Sequence, residues 1–237
     1  MAAFSLFVDE VNFTFSTFYF PGLVYLRNMK FTFIAVEGNI GSGKTTLANE
    51  LADYYSADIV LEQFTDNPFL PQFYKEKARY ALPVELSFLT DRYQQLNDYF
   101  SSHKKDDSLL IADYAIAKTE LFARTNLNET EFQLFERILA VVKTNLPKPD
   151  LLIYLHAPVA KLQKQIRNRG RSFEQNISDE YLDAISKAYQ HYLAKAGLKT
   201  LWVDTAIVDL TKEADFKKLI AILESENGWS DEGFRFL

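Results

Sequence analysis

Short apolar runs alternate along the chain with longer stretches in which apolar residues recur every three or four positions. The runs are 31–37 (FTFIAVE), 58–62 (DIVLE), 108–113 (SLLIAD), 150–156 (DLLIYLH) and 200–204 (TLWVD). Most are continuous rather than alternating, as expected of strands buried on both faces. Strands separated by helical stretches predict an α/β fold with a parallel sheet covered on both sides. Ligand sites then belong beyond the carboxyl ends of the strands, where Glu37–Gly38, Glu62, Asp113 and Asp204 stand.

The intervening stretches predict helices. Residues 83–101 place Leu86, Leu89, Tyr93, Leu96 and Phe100 on one face. Asn128 followed by Glu131 is a capping-box signature, with Phe132, Phe135, Leu139 and Val142 beneath it. The LPKPD segment at 146–150 stops that helix, and Pro158 marks the first turn of the next. Residues 178–194 present Tyr181, Ile185, Ala188 and Tyr192; Phe216, Leu219, Ile220 and Leu223 predict a last helix with Gly228 past its end. The aromatics on these stripes are expected in the core. No internal repeat, low-complexity linker or second-domain boundary is visible, so 29–237 is expected to be one domain.

The first run leads into Gly38-Asn39-Ile40-Gly41-Ser42-Gly43-Lys44-Thr45, which fits G-x-x-x-x-G-K-[ST] at every fixed position. TTLANELADYY follows at helical spacing, so the motif sits between strand and helix as its chemistry requires. Glycines let the backbone curl around phosphate, so N–H groups and the helix N-terminus face anionic oxygens. Lys44 reaches the β- and γ-phosphates, and the Thr45 hydroxyl sits on Mg²⁺. The segment from Gly38 to Thr46 is therefore expected to bind a nucleoside triphosphate.

Composition narrows the partners. The net charge of −6 does not suggest a broad nucleic-acid surface. There is no cysteine, which excludes disulfides and cysteine-based zinc sites. No apolar run reaches the length of a membrane span, and no targeting signal stands out, so a cytoplasmic protein is expected. Residues 1–28 are rich in Phe but carry Asp9 and Glu10 and lack a basic start, unlike a secretory signal. Met29 directly precedes the first strand. The extension 1–28 is therefore expected to derive from an upstream start site, the alternative being a hairpin or a partner-binding arm.

Three polar features stand at strand or helix ends. Glu62 follows the second strand; a carboxylate opposite a phosphate site can take a proton from a hydroxyl nucleophile, whereas an ordinary strand-end acid is solvated or caps. Asp113 follows the third strand and suits either Mg²⁺ or the N-cap of the next helix. Arg167, Arg169 and Arg171 alternate around Gly170. They fit a lid that brings guanidinium groups to a transferring phosphoryl group, or else a solvated basic helix end. His103, His156 and His191 are scattered and have no partner at metal-ligand spacing, so they are expected to be structural or surface residues.

These pieces, taken in order, resemble the deoxyribonucleoside kinase family of P-loop kinases. The resemblance covers nearly all of 29–204 and rests on EGNIGSGKTT, VLEQF, NPFLPQFYKEKARYALPVELSFLTDRYQQL, PKPDLLIYL and RGRSFEQNISDEYL. The long middle segment is most similar to bacterial members that act on purine deoxynucleosides. The resemblance implies a three-layer P-loop kinase fold with a five-stranded parallel sheet and an arginine lid. It implies transfer of the γ-phosphoryl of Mg·ATP to the 5′-hydroxyl of a deoxyribonucleoside, in nucleotide salvage, by a homodimer. Glu62 would be the general base, with Tyr74 and Glu174 on the sugar 3′-hydroxyl. Arg92 would lie near the base and the 5′ end, with Phe122 against the nucleobase. Lys44, Arg169 and Arg171, with Arg167 beside them, would contact the donor phosphates.

The chain departs from the family pattern in two places. Glu85 stands where a glutamine usually bonds the base; a carboxylate only accepts, which tilts the expectation toward the amino group of adenine. After Asp113 comes Tyr114-Ala115 rather than the usual arginine-serine, so that guanidinium is absent or supplied elsewhere, with Arg79, Arg92 and Arg124 as candidates. Lys118 falls where members carry a base-contacting acid. Two rivals remain open: a nucleoside monophosphate kinase related to thymidylate kinases, and a regulatory P-loop ATPase.

Overall fold

β1 (Phe33–Gly38) forms the centre of the molecule, and each of its residues is buried. A computed structural model describes residues 30–64, 67–103, 108–225 and 234–237; the extension 1–28 and Gly228 lie outside them. From β1 the chain enters the glycine-rich loop and α1 (Lys44–Tyr55), then β2 (Asp58–Val60), a short α2 (Leu70–Phe73) and the long α3 (Lys77–Ser102). β3 (Leu110–Ala112), α4 (Ala117–Asn126), α5 (Glu129–Lys143) and β4 (Leu151–His156) follow. The remainder is α6 (Val159–Arg169), a 3-10 turn at Ser172–Glu174, α7 (Asp179–Leu193), β5 (Thr200–Asp204), α8 (Glu213–Leu223) and β6 (Phe234–Phe236).

The five expected strands pair in parallel in the order β2-β3-β1-β4-β5. A sixth short strand, β6, extends the sheet beyond β5, again in parallel. Three residues are too few to carry a hydrophobic period, so this edge was not legible in the sequence. The sheet is covered on both faces. Ile34, Val36, Ile153 and Leu155 pack with Leu47 and Leu51 of α1 and Leu219 and Leu223 of α8. On the other face, Phe33 and Ala35 meet Leu96 of α3, while Leu152 and Tyr154 meet Ile185, Tyr189 and Leu193 of α7. Each fully buried Leu or Ile contributes about 1.5–3 kcal/mol, which makes this two-sided burial the main support of the fold.

Several helix boundaries differ from expectation. α3 begins at Lys77, and Pro83, expected at the first turn, lies inside it. An interior proline forfeits one helical hydrogen bond. The extra turn is held because Ala81 and Val84 pack against Leu70 and Phe73 of α2. The buried face of α7 is Leu182, Ile185, Tyr189 and Leu193, so Tyr181, Ala188 and Tyr192 flank the core rather than face it. The capping box of α5 forms as expected: Glu131 N–H donates to Asn128 Oδ1 at 3.0 Å, and Asn128 N–H donates to Glu131 Oε2 at 3.2 Å. Among the described residues, no helix is long and apolar enough to cross a membrane.

β2, β3 and β1 are parallel neighbours, so their carboxyl ends open at one edge. β2 stops at Val60 and β3 at Ala112, so Glu62 and Asp113 lie just past the strands rather than within them. The Glu62 N–H, freed from the ladder, donates to Asp113 Oδ1 at 2.7 Å. That bond brings the two acids together beside the glycine-rich loop.

Candidate active site

The loop from Gly38 to Gly43 turns through glycines that no other residue could replace cheaply. At Gly38, with φ +152°, an added Cβ would sit 2.6 Å from Ser42 Oγ and 2.7 Å from Leu155 O. Gly43, at φ +94°, caps α1 without any side-chain hydrogen bond, so the first N–H groups of the helix face the cradle. Ser42 Oγ is buried there without a partner among the described residues. Asn39 ties the loop to α7 by donating to Leu182 O at 2.6 Å and to Ser186 Oγ at 2.8 Å. Lys44 Nζ folds back onto Asn39 O at 2.9 Å. Burial, with Lys118 next, lowers its pKa to about 8.

Beside the cradle lies a cluster of two acids and two further cations. Thr45 Oγ1 donates to Asp113 Oδ2 at 2.6 Å. Arg92 Nε and Nη2 donate to Glu62 Oε1 at 2.9 and 2.5 Å, and Lys118 Nζ donates to Glu62 Oε2 at 2.5 Å. Burial pushes the Glu62 carboxyl up, but Lys118 and Arg92 outweigh it and hold it far below the usual carboxylate range. Arg92 is itself fixed, since its Nη1 donates to Thr119 Oγ1 at 2.8 Å and its guanidinium lies over the Phe88 ring. Glu37, by contrast, is spent inside the fold: it accepts from Ala115 N–H at 2.7 Å and from Tyr189 at 2.8 Å.

The arginine segment closes the far side. Arg169 Nη2 and Arg171 Nη1 both donate to Glu174, a residue only 4% exposed. The Arg171 guanidinium also lies 3.4 Å from the centre of the Phe64 ring. Phe173, between Arg171 and Glu174 in sequence, stacks on Tyr74 with ring centres 6.2 Å apart. Arg167 is exposed on α6 and stands apart from this cluster.

These groups line one cleft of roughly 790 Å³. Ile40, Gly41, Lys44 and Thr45 form its phosphate-cradle wall, and Glu62, Arg92, Asp113 and Lys118 its charged end. Tyr74, Val84, Phe88, Phe122 and Tyr181 make the aromatic and apolar walls, with Glu85 and Asn126 at depth. Burial raises the pKa of Glu85 to about 7. A second cleft of roughly 500 Å³ lies across the cradle and is lined by Ser42, Gly43, Thr46, Gln165, Thr205 and Asp209.

The structure brings Glu62, Tyr74, Glu85, Arg92, Asp113, Phe122, Arg169, Arg171 and Glu174 together in this cleft. Arg167 does not line it. Of the candidates for the missing guanidinium, Arg79 pairs with Glu76 and Arg124 with Glu120 and Glu136, all outside the cleft. Arg92 and Lys118 are the cations at Glu62. Lys118 thus meets the acid rather than the base end. Asn126, Thr119 and Phe64 had no sequence role, and Tyr181 was expected only in the core. Lys118 alone carried a signal, as the single cation in the largely apolar segment AIAKTELFA at 115–123.

The sequence profile of the deoxynucleoside kinase family matches residues 34–225. The deoxyguanosine kinase of Bacillus subtilis (strain 168) is 34% identical over 195 residues, covering 80% of this chain and 94% of the relative. The deoxyadenosine kinase of Lactobacillus acidophilus is 31% identical over 170 residues, covering 67% and 77%. The solved structure of deoxyadenosine kinase from M. mycoides with bound dATP superimposes with a TM-score of 0.70 at 25% identity, covering 81% of this chain and 100% of that one.

Proposed function

The chain belongs to the deoxynucleoside kinase family and phosphorylates a deoxynucleoside, and on that premise we propose that it transfers the γ-phosphoryl of ATP to the 5′-hydroxyl of a purine deoxyribonucleoside. Deoxyadenosine is favoured over deoxyguanosine, and the reaction serves nucleotide salvage. The observation that carries this reading is the continuity of one cleft. Its wall is the phosphate cradle at Lys44 and Thr45, its turning point is Glu62, and its depth is an aromatic chamber with polar groups at the end.

Glu62 accepts the proton of the 5′-hydroxyl. Arg92 holds the carboxylate in place and lies near the 5′ end. Tyr74 and Glu174 take the sugar 3′-hydroxyl, Phe122 packs on the nucleobase, and Glu85 faces its edge. Lys44 and the N–H groups of the loop from Gly38 to Thr46 hold the donor phosphates. The second cleft, across the cradle, suits the nucleoside end of the donor. Arg169 and Arg171 exchange Glu174 for the donor phosphates as the lid closes. Closure frees Glu174 for the sugar, stabilises charge on the transferring group and excludes water.

The Thr45 hydroxyl and Asp113 carboxylate, 2.6 Å apart beside the cradle, offer the hard oxygen donors that Mg²⁺ takes. These two residues would hold it, and when bound it neutralises charge on the donor phosphates. A homodimer is supported by α5, whose outer side carries the exposed apolar residues Leu134, Ile138 and Val141.

A monophosphate acceptor fits this cleft less well, because its phosphate would meet the Glu62 carboxylate. A coupled ATP assay offering deoxynucleosides, ribonucleosides and deoxynucleoside monophosphates separately tests the reading. Turnover on a purine deoxynucleoside is expected. Turnover on monophosphates alone would remove Glu62 from the role of base, and no stimulation by any acceptor would favour a regulatory ATPase.

A further inference from the structure

Phosphoryl transfer spreads negative charge over the equatorial oxygens between donor and acceptor. On the acceptor side, the segment after Asp113 brings no cation to meet it. Tyr114 stands there, fully buried, with its hydroxyl donating to Gln95 Oε1 at 2.9 Å. Arg92 is near but spent: its three nitrogens bond Glu62 and Thr119, and its guanidinium lies over the Phe88 ring. Lys118, in the first turn of α4, is different. It is buried, yet it lines the cleft together with Lys44 and Thr45. An ammonium has three hydrogens to donate, and Glu62 Oε2 is its one hydrogen-bond partner among the described residues. The Phe122 ring, with its centre 5.8 Å away, lies at the outer reach of a cation–ring contact. After burial, the charge of Lys118 is the strongest influence lowering the pKa of Lys44. Two ammonium groups that repel across one cavity are relieved by an anion between them.

We propose that Lys118 is a further catalytic residue, whose ammonium passes from Glu62 to an equatorial oxygen of the γ-phosphoryl during transfer. The inference rests on the kinase reading above and adds to it the group that meets the phosphoryl from the acceptor side. In the step, the 5′ O–H bond breaks and its proton goes to Glu62, while the 5′ oxygen bonds the γ-phosphorus. The bond from that phosphorus to the β-phosphate oxygen breaks, and its electron pair leaves with ADP. Once protonated, the Glu62 carboxyl no longer carries the charge that held Lys118. The attraction passes to the phosphoryl oxygens as the transition state forms. An ammonium on a flexible stem follows that shift, whereas the Arg92 fork, bound at three nitrogens, stays with the acid.

The test is the single-turnover rate of transfer to deoxyadenosine from ATP and from ATPγS, in which sulfur replaces one γ-oxygen. Lys118→Met is expected to slow transfer from ATP about a hundredfold, while deoxyadenosine affinity measured by calorimetry stays within about threefold. Because the variant has no contact left for sulfur to spoil, its ATP-to-ATPγS rate ratio should be smaller than that of the wild type. Lys118→Arg keeps a charge beside Glu62, and with it the fold. It should recover about tenfold of the loss and show an altered ratio, because its contact with the phosphoryl differs. The inference is overturned if Lys118→Met transfers at the wild-type rate. It is also overturned if either variant keeps the wild-type ratio, as a residue that only holds Glu62 in place would. Transfer to no deoxynucleoside by the wild type would overturn the kinase reading itself, whereas an unmoved ratio in active variants would leave that reading standing.

Discussion

Lys118 Nζ donates to Glu62 Oε2 at 2.5 Å, on the oxygen that Arg92 leaves free. The acid therefore carries one cation on each oxygen, which explains why it stays ionised despite burial. Removing one cation should be visible in the protonation of Glu62 as well as in rate. Lys118→Met is expected to lower kcat about a hundredfold, the scale of losing one preorganised charged group. With Lys118 gone, only Arg92 and the more weakly acting Lys44 oppose burial, so the Glu62 pKa rises and the acidic limb of the kcat/KM profile should move toward neutral pH. A rate loss with an unmoved limb would make Lys118 a packing residue only.

Glu62→Gln keeps the shape of the side chain and its place beside Arg92 but cannot accept a proton. Turnover is expected to fall by about 10²–10⁴, the usual contribution of a positioned base. Binding of ATP, measured by calorimetry, should change little because Lys44 and the loop are untouched. Turnover near that of the wild type would refute the assignment.

Arg171→Ala should affect kcat more than nucleoside affinity, by roughly ten- to a hundredfold, because its guanidinium is proposed to act on charge that develops during transfer. In this structure its guanidinium bonds Glu174 and lies against the Phe64 ring. Equilibrium binding of deoxyadenosine, followed alongside kcat, separates the two effects. Unchanged turnover would remove Arg171 from the reaction.

Glu85 makes stability depend on pH in a defined direction. Burial lifts its pKa from 4.5 to about 7, against the Asn126 bond and the charges of Arg92 and Lys118, with Glu62 pushing upward. Tyr74, Tyr181 and Lys77 also face it. The folded state thus holds the proton more tightly than the unfolded chain. Its contribution is complete below pH 4.5 and is lost as pH rises through about 7. Full loss corresponds to on the order of 3 kcal/mol. Urea unfolding of the wild type and of Glu85→Gln at pH 5 and pH 8 should show the wild type losing stability relative to the variant. Parallel pH dependence in the two proteins would contradict the raised value.

The sequence by itself determined the strand–loop–helix unit around Lys44, the five parallel strands and the helices that cover them. These follow from local rules: a continuous apolar run, glycines at fixed spacing, a capping box at Asn128. It also named most of the cleft, because the acids follow strand ends and parallel strands open at one edge. Tertiary structure alone decided the pairings. Whether Lys118 meets the base or Glu62 depends on the rotation of α4 against α3, which no local spacing encodes. The link between Glu85 and Asn126 joins two residues 41 positions apart in the chain, one on α3 and one on α4. The extension of α3 past Pro83 depends on packing against α2, which outweighs the lost hydrogen bond. The chemistry was written in residue types, and the packing of the helices over the sheet determined which of them touch.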